Sequence, residues 1–384
     1  SAEQSPPGAM PHAPSIDSNT TVHSLSDLTI GHRQWNAEYQ ALADHWKNFP
    51  KKASLTEQFY ETARLYGRLI VSERPLPNHL RTIKPVNIGG LSGGDKYVFN
   101  GILFKFATDV EVTQDKHGNP VFLYGGTAPN DEYAIKAASR ELIGRSRYWN
   151  THVKGLYYPL MCLIDCKGYR LLAMGILPID KETIRYGSDD GGRTVHGDDP
   201  VLNRLMEQCG TRLNTAPHLV GIDPIQRRLI YGAGDVEGHL GHDGRYYLLD
   251  FARNAPPEAP RSDDKRAVFR NLLRPEFVKE YRLPLCADSF SRWDASPDAR
   301  QHAANIREAT EHLYHGIIPE FAKSLDDDFV ELNLPLDVDD QLKAAGVHLM
   351  RRFEEMEESA SLTGSTSSYT PSPTHVLLQL RRDL

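Results

Sequence analysis

Two apolar runs, residues 156–164 and 169–176, are separated only by the polar turn Asp165-Cys166-Lys167-Gly168. They constrain the chain more than any other stretch. Both are far shorter than the roughly 20 apolar residues that a membrane-spanning helix needs. They read instead as buried strands, the second ended by Pro178. Shorter runs repeat the pattern: 97–99 and 102–107 about the turn pair Asn100-Gly101, then 121–124, 183–186, 228–231 and 246–249. Residues 228–231 are expected to pair with 245–251. The turn pair Asp243-Gly244 precedes the last strand, and Pro256-Pro257 forbids its continuation beyond Asp250.

Helical spacing of apolar residues marks Trp35, Tyr39, Leu42 and Trp46, with Phe49-Pro50 as the stop. A second helix follows the capping box Ser54-Leu55-Thr56-Glu57 and carries Phe59, Ala63, Tyr66 and Ile70. Further helices are expected at 130–147, 198–213, 303–317 (with Pro319 as a kink) and 337–358. Asp326-Asp327-Asp328 reads as a solvated loop. The chain then divides into a disordered arm at 1–29, a helical segment at 30–86, a mixed core at 87–292, a second helical segment at 293–358 and a Ser/Thr-rich flexible tail at 359–384.

A net charge of −7 argues against a generally basic nucleic-acid surface. The four cysteines form no Cys-x-x-Cys pair, so a reducing, cytoplasmic compartment without structural zinc is expected. His239-x-x-His242 with Asp243 or Asp250 has the spacing of a partial zinc site, but glycine separates the histidines and no third nitrogen or sulfur ligand is close. A Ser-His-Asp hydrolase lacks its Gly-x-Ser-x-Gly elbow.

The glycines Gly89, Gly90, Gly93 and Gly94 ahead of Lys96 approach a P-loop. Asp95 stands where the lysine should follow, and a strand rather than a helix comes next. Such a turn between strands is either a plain hairpin or a cradle of backbone N–H groups over phosphates. Lys105 sits mid-strand, and helix 130–147 offers Glu141. A strand lysine with a helix glutamate is the ion pair that places nucleotide phosphates in kinases, and Asp250 at a strand exit would be the metal-binding acid. For Asp250 alone, the competing reading is an aspartate that merely accepts backbone hydrogen bonds.

Several blocks resemble the Clu domain of the clustered mitochondria family: Gly90–Tyr97 with Gly101–Phe106, Lys136–Leu142, Leu163–Arg170, Tyr186–Ser188 with Asp190–Gly192, Asp235–Arg253, Leu273–Glu276 and Pro284–Phe290. The resemblance covers roughly residues 33–292. It implies a part in mitochondrial distribution and in binding messenger RNAs for mitochondrial proteins. A shorter resemblance links Phe104-Lys105, Asp235-x-Glu237, Asp243-Gly244, Leu248-Leu249-Asp250, Pro256-Pro257 and Arg261 to the SAICAR synthase fold shared with inositol-phosphate and phosphoinositide kinases. That likeness implies a two-lobed, kinase-like α+β fold with an antiparallel-sheet core and added helices at both ends.

On this reading the chain is an ATP- and Mg²⁺-dependent phosphotransferase acting on a small anionic, inositol-phosphate-like acceptor. Lys105, positioned by Glu141, holds nucleotide phosphates. Asp250 with Glu237 holds Mg²⁺. Asp235 orients or deprotonates the acceptor, and His239, Arg245 and Arg253 hold its anionic groups. The alternative is a non-catalytic module that binds RNA or a protein partner in mitochondrial distribution.

Overall fold

The computed structural model describes residues 32–42, 46–88, 94–261 and 266–331. It is a mixed α+β arrangement of helices and mainly antiparallel sheets. The chain divides into two compact units, 1–310 and 311–384. The arm at 1–29, the helix expected at 337–358, the tail at 359–384 and the glycines Gly89, Gly90 and Gly93 lie outside the described residues.

Helix α1 (Trp35–Ala41) leads into α2 (Phe49–Glu73). The Phe49-Pro50 pair opens α2 rather than stopping α1. Proline is tolerated in a first turn, where the N–H has no helical acceptor. The expected capping box at 54–57 therefore falls inside the helix. Leu55, Phe59, Ala63, Ile70 and Val71 form the buried face of α2.

The first sheet begins with β1 (Pro85–Val86), β2 (Lys96–Phe99) and β3 (Ile102–Phe106). A separate hairpin, β4 (Glu111–Gln114) and β5 (Pro120–Phe122), precedes α3 (Asp131–Trp149). Asn130 caps α3, its side chain accepting the Tyr133 N–H at 3.1 Å. The long apolar run then proves to be two strands, β6 (Leu156–Tyr157) and β7 (Met161–Cys166), which belong to different sheets. Pro159 lies in the break, where a missing N–H cannot interrupt a ladder. Strand β8 (Tyr169–Gly175) completes an antiparallel sheet of order β1-β2-β3-β8-β7.

Side-chain alternation gives β3 two faces. Ile102, Phe104 and Phe106 share a buried cluster with Phe59, Ala63 and Ile70 of α2. Lys105 takes the other face, toward α3.

The second sheet has the order β6-β13-β12-β9 and uses β9 (Ile184–Tyr186). Helix α4 (Pro200–Leu213) follows, with Asp199 accepting the Val201 and Leu202 N–H groups, each at 2.9 Å. Strands β10 (Pro217–Val220) and β11 (Arg228–Tyr231) pair with each other, so the expected pairing of 228–231 with 245–251 is not made. Strand β12 (Glu237–Leu240), whose residues carry little strand signal, takes that place beside β13 (Tyr246–Leu249). Leu202, Met206 and Cys209 of α4 share a core with Tyr186, Leu248 and Phe251.

A short α5 (Pro275–Glu280) and α6 (Ala299–His312) follow. In the second unit, Leu313–Ile317 winds as a π-helix and leads into α7 (Ile318–Glu331). Pro319 lies in the first turn of α7. The expected loop Asp326-Asp327-Asp328 is part of that helix. No described helix is long and apolar enough to cross a membrane.

Candidate functional site

Lys105 of the first sheet, Glu141 of α3 and Asp250 at the exit of β13 line one cavity of about 50 Å³. Phe106, Thr108, Tyr124, Leu172 and Ala252 share its wall. So do Ala134, Ala137 and Ala138 of α3, whose small side chains leave the space open.

The expected Lys105–Glu141 ion pair does not form. Both oxygens of Glu141 are instead taken by backbone. Oε2 accepts the Phe251 N–H at 2.8 Å and Oε1 the Ala252 N–H at 3.1 Å. The carboxylate thus fixes the chain immediately after Asp250. Helix α3 comes this close because residue 144 is glycine. A Cβ there would stand 2.4 Å from the Phe251 carbonyl oxygen and 2.6 Å from its Cβ. Asp250 itself has φ of +60°, a left-handed conformation that aspartate and asparagine reach more readily than most residues. The strand therefore turns sharply at the residue that enters the cavity.

Among the described residues, Lys105 makes no hydrogen bond or close ion pair, although it is half-buried. Lys96 lies directly opposite it across the β2–β3 ladder. Like charges in that position repel. Burial, and then Lys105, bring the Lys96 ammonium down to about 8. Its Nζ donates to the Ile88 carbonyl at 3.1 Å.

Carboxylates outnumber these cations. Burial and the neighbouring Asp250 push Glu141 up, against the pull of Lys105 and the two backbone donors. Glu237 is pushed up by burial and by the neighbouring Asp250. Asp235 is raised by burial against the opposing Arg253. Its Oδ2 accepts from Arg253 Nε at 2.7 Å, while its buried Oδ1 has no partner.

The proposed acceptor-binding residues are not gathered here. Arg245 lies at the opposite end of β13, five residues before Asp250, about 17 Å along an extended strand. It pairs with Asp243 at 2.7 Å. His239 is buried between Thr183 Oγ1 at 3.0 Å and Glu237 Oε2 at 3.3 Å. Burial holds it down to about 4, so it is neutral and buttresses Glu237. Arg253 is enclosed, with Nε on Asp235, Nη1 on Asp288 Oδ1 at 2.5 Å, and its guanidinium 5.2 Å from the Phe269 and Trp293 rings. His242 is exposed and bonds Asp180 at 2.7 Å, so it does not join His239 around a metal.

Sequence reasoning missed Tyr124, whose hydroxyl is kept protonated by burial and by Glu141. Asp109 presents it by accepting four backbone N–H groups, from Val110, Tyr124, Gly125 and Asn130, at 2.8–3.0 Å. An aspartate ahead of a Tyr-Gly-Gly turn is the only local signal for it. Asp189, which also acts on Glu237 and His239, lies in the polar stretch 187–193, where no apolar periodicity singles it out.

Fold and cavity together define an α+β protein in which two sheets and one helix enclose a lysine among excess carboxylates. The family profile described as Clustered mitochondria matches residues 34–260, and the chain belongs to that family. It is 29% identical over 269 residues to the Clustered mitochondria protein homolog of Anopheles gambiae, covering 66% of this chain and 17% of that one. It is 26% identical over 301 residues to the Clustered mitochondria protein of Arabidopsis thaliana, covering 68% and 21%. Protein clueless of Drosophila willistoni is 27% identical over 295 residues, covering 73% and 19%. The chain thus spans about a fifth of the length of the curated relatives it matches. No solved structure matches it.

Proposed function

We propose that the cavity of Lys105 and Asp250 binds a divalent cation with the phosphates of a nucleotide and supports phosphoryl transfer, in a kinase-like, two-lobed arrangement. The observation that carries this reading is Lys105: a half-buried ammonium with no hydrogen-bond partner among the described residues, facing Asp250 across a shared cavity. A buried charge without a partner is costly, and a phosphate oxygen would supply one.

The donor set fits a hard cation. Asp250 and Glu237 offer carboxylate oxygens, the ligands that Mg²⁺ prefers. The volume fits a cation with a few waters or a phosphoryl group, so a nucleotide's base and ribose would extend outside it. When bound, Mg²⁺-ATP supplies the transferable phosphoryl group and neutralises its charge. Lys105 and Lys96 would hold phosphate oxygens. Glu141 fixes the backbone that aims Asp250, and Asp235 would receive the acceptor's proton at Oδ1. His239, Arg245 and Arg253 are engaged elsewhere, so an anionic, inositol-phosphate-like acceptor would not be held by these three side chains. We propose the narrower nucleotide reading.

The test is Mg²⁺-dependent turnover of ATP by the wild type and by Lys105→Met. Loss of one electrostatic contact to the transferring group is expected to reduce turnover on the order of 10²–10³-fold. Equal turnover in both proteins, or none in the wild type, contradicts the reading.

The names of the relatives support a second proposal, that the chain takes part in mitochondrial distribution; a cytoplasmic location is proposed with it. Its test is mitochondrial imaging in cells lacking the protein, then re-expressing wild type or Lys105→Met. An unaltered network in cells lacking the protein contradicts this proposal.

A further inference from the structure

Away from the cavity, three side chains of different chemistry converge beneath α6. Cys286 is 1% exposed, and the side chains of Asp294 and His302 are 2% and 14% exposed. One ligand atom from each lies within 4.8 Å of the other two. Asp294 Oδ2 is the shared point, 2.8 Å from His302 Nδ1 and 3.7 Å from Cys286 Sγ. The other oxygen, Oδ1, accepts the Ser296 N–H at 3.2 Å, which turns Oδ2 toward the cysteine and histidine.

Tetrahedral coordination with bonds of about 2.0 Å to nitrogen or oxygen and 2.3 Å to sulfur sets ligand atoms about 3.3–3.6 Å apart. The two separations here straddle that value, and a shift of roughly half an ångström in the side chains would bring them to it. The residues are regularly spaced in sequence, Cys286, Asp294 and His302, with the first two in the connection after α5 and the third in the first turn of α6. A test for paired cysteines cannot detect such a set, which explains why the sequence points away from structural zinc.

We propose that Cys286, Asp294 and His302 form a binding site for a transition-metal ion of the zinc class, with three protein ligands. Thiolate, imidazole and carboxylate together suit zinc and not magnesium. On binding, the Cys286 S–H proton and the Nδ1 proton that His302 donates to Asp294 both pass to solvent, and sulfur–metal and nitrogen–metal bonds form in their place. A nucleophilic triad is the other use of these residue types, but Cys286 is too enclosed to meet a substrate. The ion would clamp the connection after α5 to α6. It would also brace His218, which contacts Cys286 and bonds Asp288 at 2.8 Å. Asp288 in turn holds Arg253, so the clamp supports the segment following Asp250 from behind.

The test is made on the full chain, stripped of metal by a chelator and titrated with Co²⁺. One equivalent should produce a thiolate-to-cobalt charge-transfer band, and one equivalent of Zn²⁺ should abolish it and raise the melting temperature. Cys286→Ser should lack the band, and His302→Gln should bind at least tenfold more weakly. If Cys286→Ser does not fold, the wild-type band and its displacement by Zn²⁺ still decide the matter. No band in folded wild type, or an unchanged cobalt spectrum in folded Cys286→Ser, overturns the proposal. None of these readouts involves a nucleotide, so the outcome is independent of the Lys105 cavity.

Discussion

The carboxylate of Glu141 accepts the Phe251 backbone N–H at 2.8 Å and thereby fastens α3 to the residue that follows Asp250. A helix side chain thus sets the position of a strand-end acid by holding backbone rather than by pairing with Lys105. Gly144, one turn further along α3, permits the approach.

Glu141→Ala should destabilise the protein, because it leaves the Phe251 and Ala252 N–H groups without their acceptors, at about 1–3 kcal/mol for each buried group. Gly144→Ala should cost about 1–3 kcal/mol through overpacking against Phe251. Thermal melting measures both. A wild-type midpoint for Gly144→Ala would mean that the helix can move away from Phe251 freely.

Arg253→Met should cost about 3–5 kcal/mol at neutral pH, because Asp235 and Asp288 then lose their shared counter-ion. The sign with pH follows from Asp288. Burial tends to raise it, but Arg253 and His218 hold it down to about 2. Its stabilising contribution is therefore present above the ordinary carboxylate value and is lost as pH falls through about 2. The variant lacks much of that contribution, so the difference from wild type should shrink as pH is lowered from 7 toward 3. Urea denaturation at several pH values checks this; a gap that widens on acidification contradicts it.

Glu141 and Glu237 carry the opposite sign. Their carboxyls are raised by burial and by Asp250, so their stabilising contribution is present below the ordinary glutamate value and is lost as pH rises through the raised one. Melting temperature without cations should fall through this range, and less steeply in Asp250→Asn. Asparagine suits the left-handed backbone at 250, so the substitution removes charge with little strain. Melting curves from pH 5 to 10 decide it, and a steeper fall in the variant contradicts the cause assigned here.

Much of the scaffold was legible because periodicity reports burial directly. The apolar faces of α2, α3 and α4 and the hairpin of β7 and β8 follow from it. So does the placing of Lys105 opposite Phe104 and Phe106. The boundaries failed where proline has two meanings: Pro50 starts a helix, and Pro159 divides an apolar run between sheets. Strand β12 was illegible because Glu237, Gly238 and His239 are polar or small, yet they stand beside a buried strand. Lys105, Glu141 and Asp250 could be brought together from their order in sequence. The commitments of Arg253, His239 and Arg245 could not, because Asp288, Thr183 and Asp243 claim them through contacts that sequence alone does not fix.

Calorimetric titration of the full chain with Mg²⁺-ATP, in buffers of different ionisation enthalpy, tests the cavity's proposed role most directly. A cation meeting Asp250 and Glu237 should displace the proton that burial and Asp250 favour on Glu237. Saturable binding with net proton release near pH 7 is the expected result, with affinity lowered at least tenfold in both Lys105→Met and Asp250→Asn. No binding by folded wild type, or equal affinity in all three proteins, would contradict a nucleotide–cation site at Lys105 and Asp250.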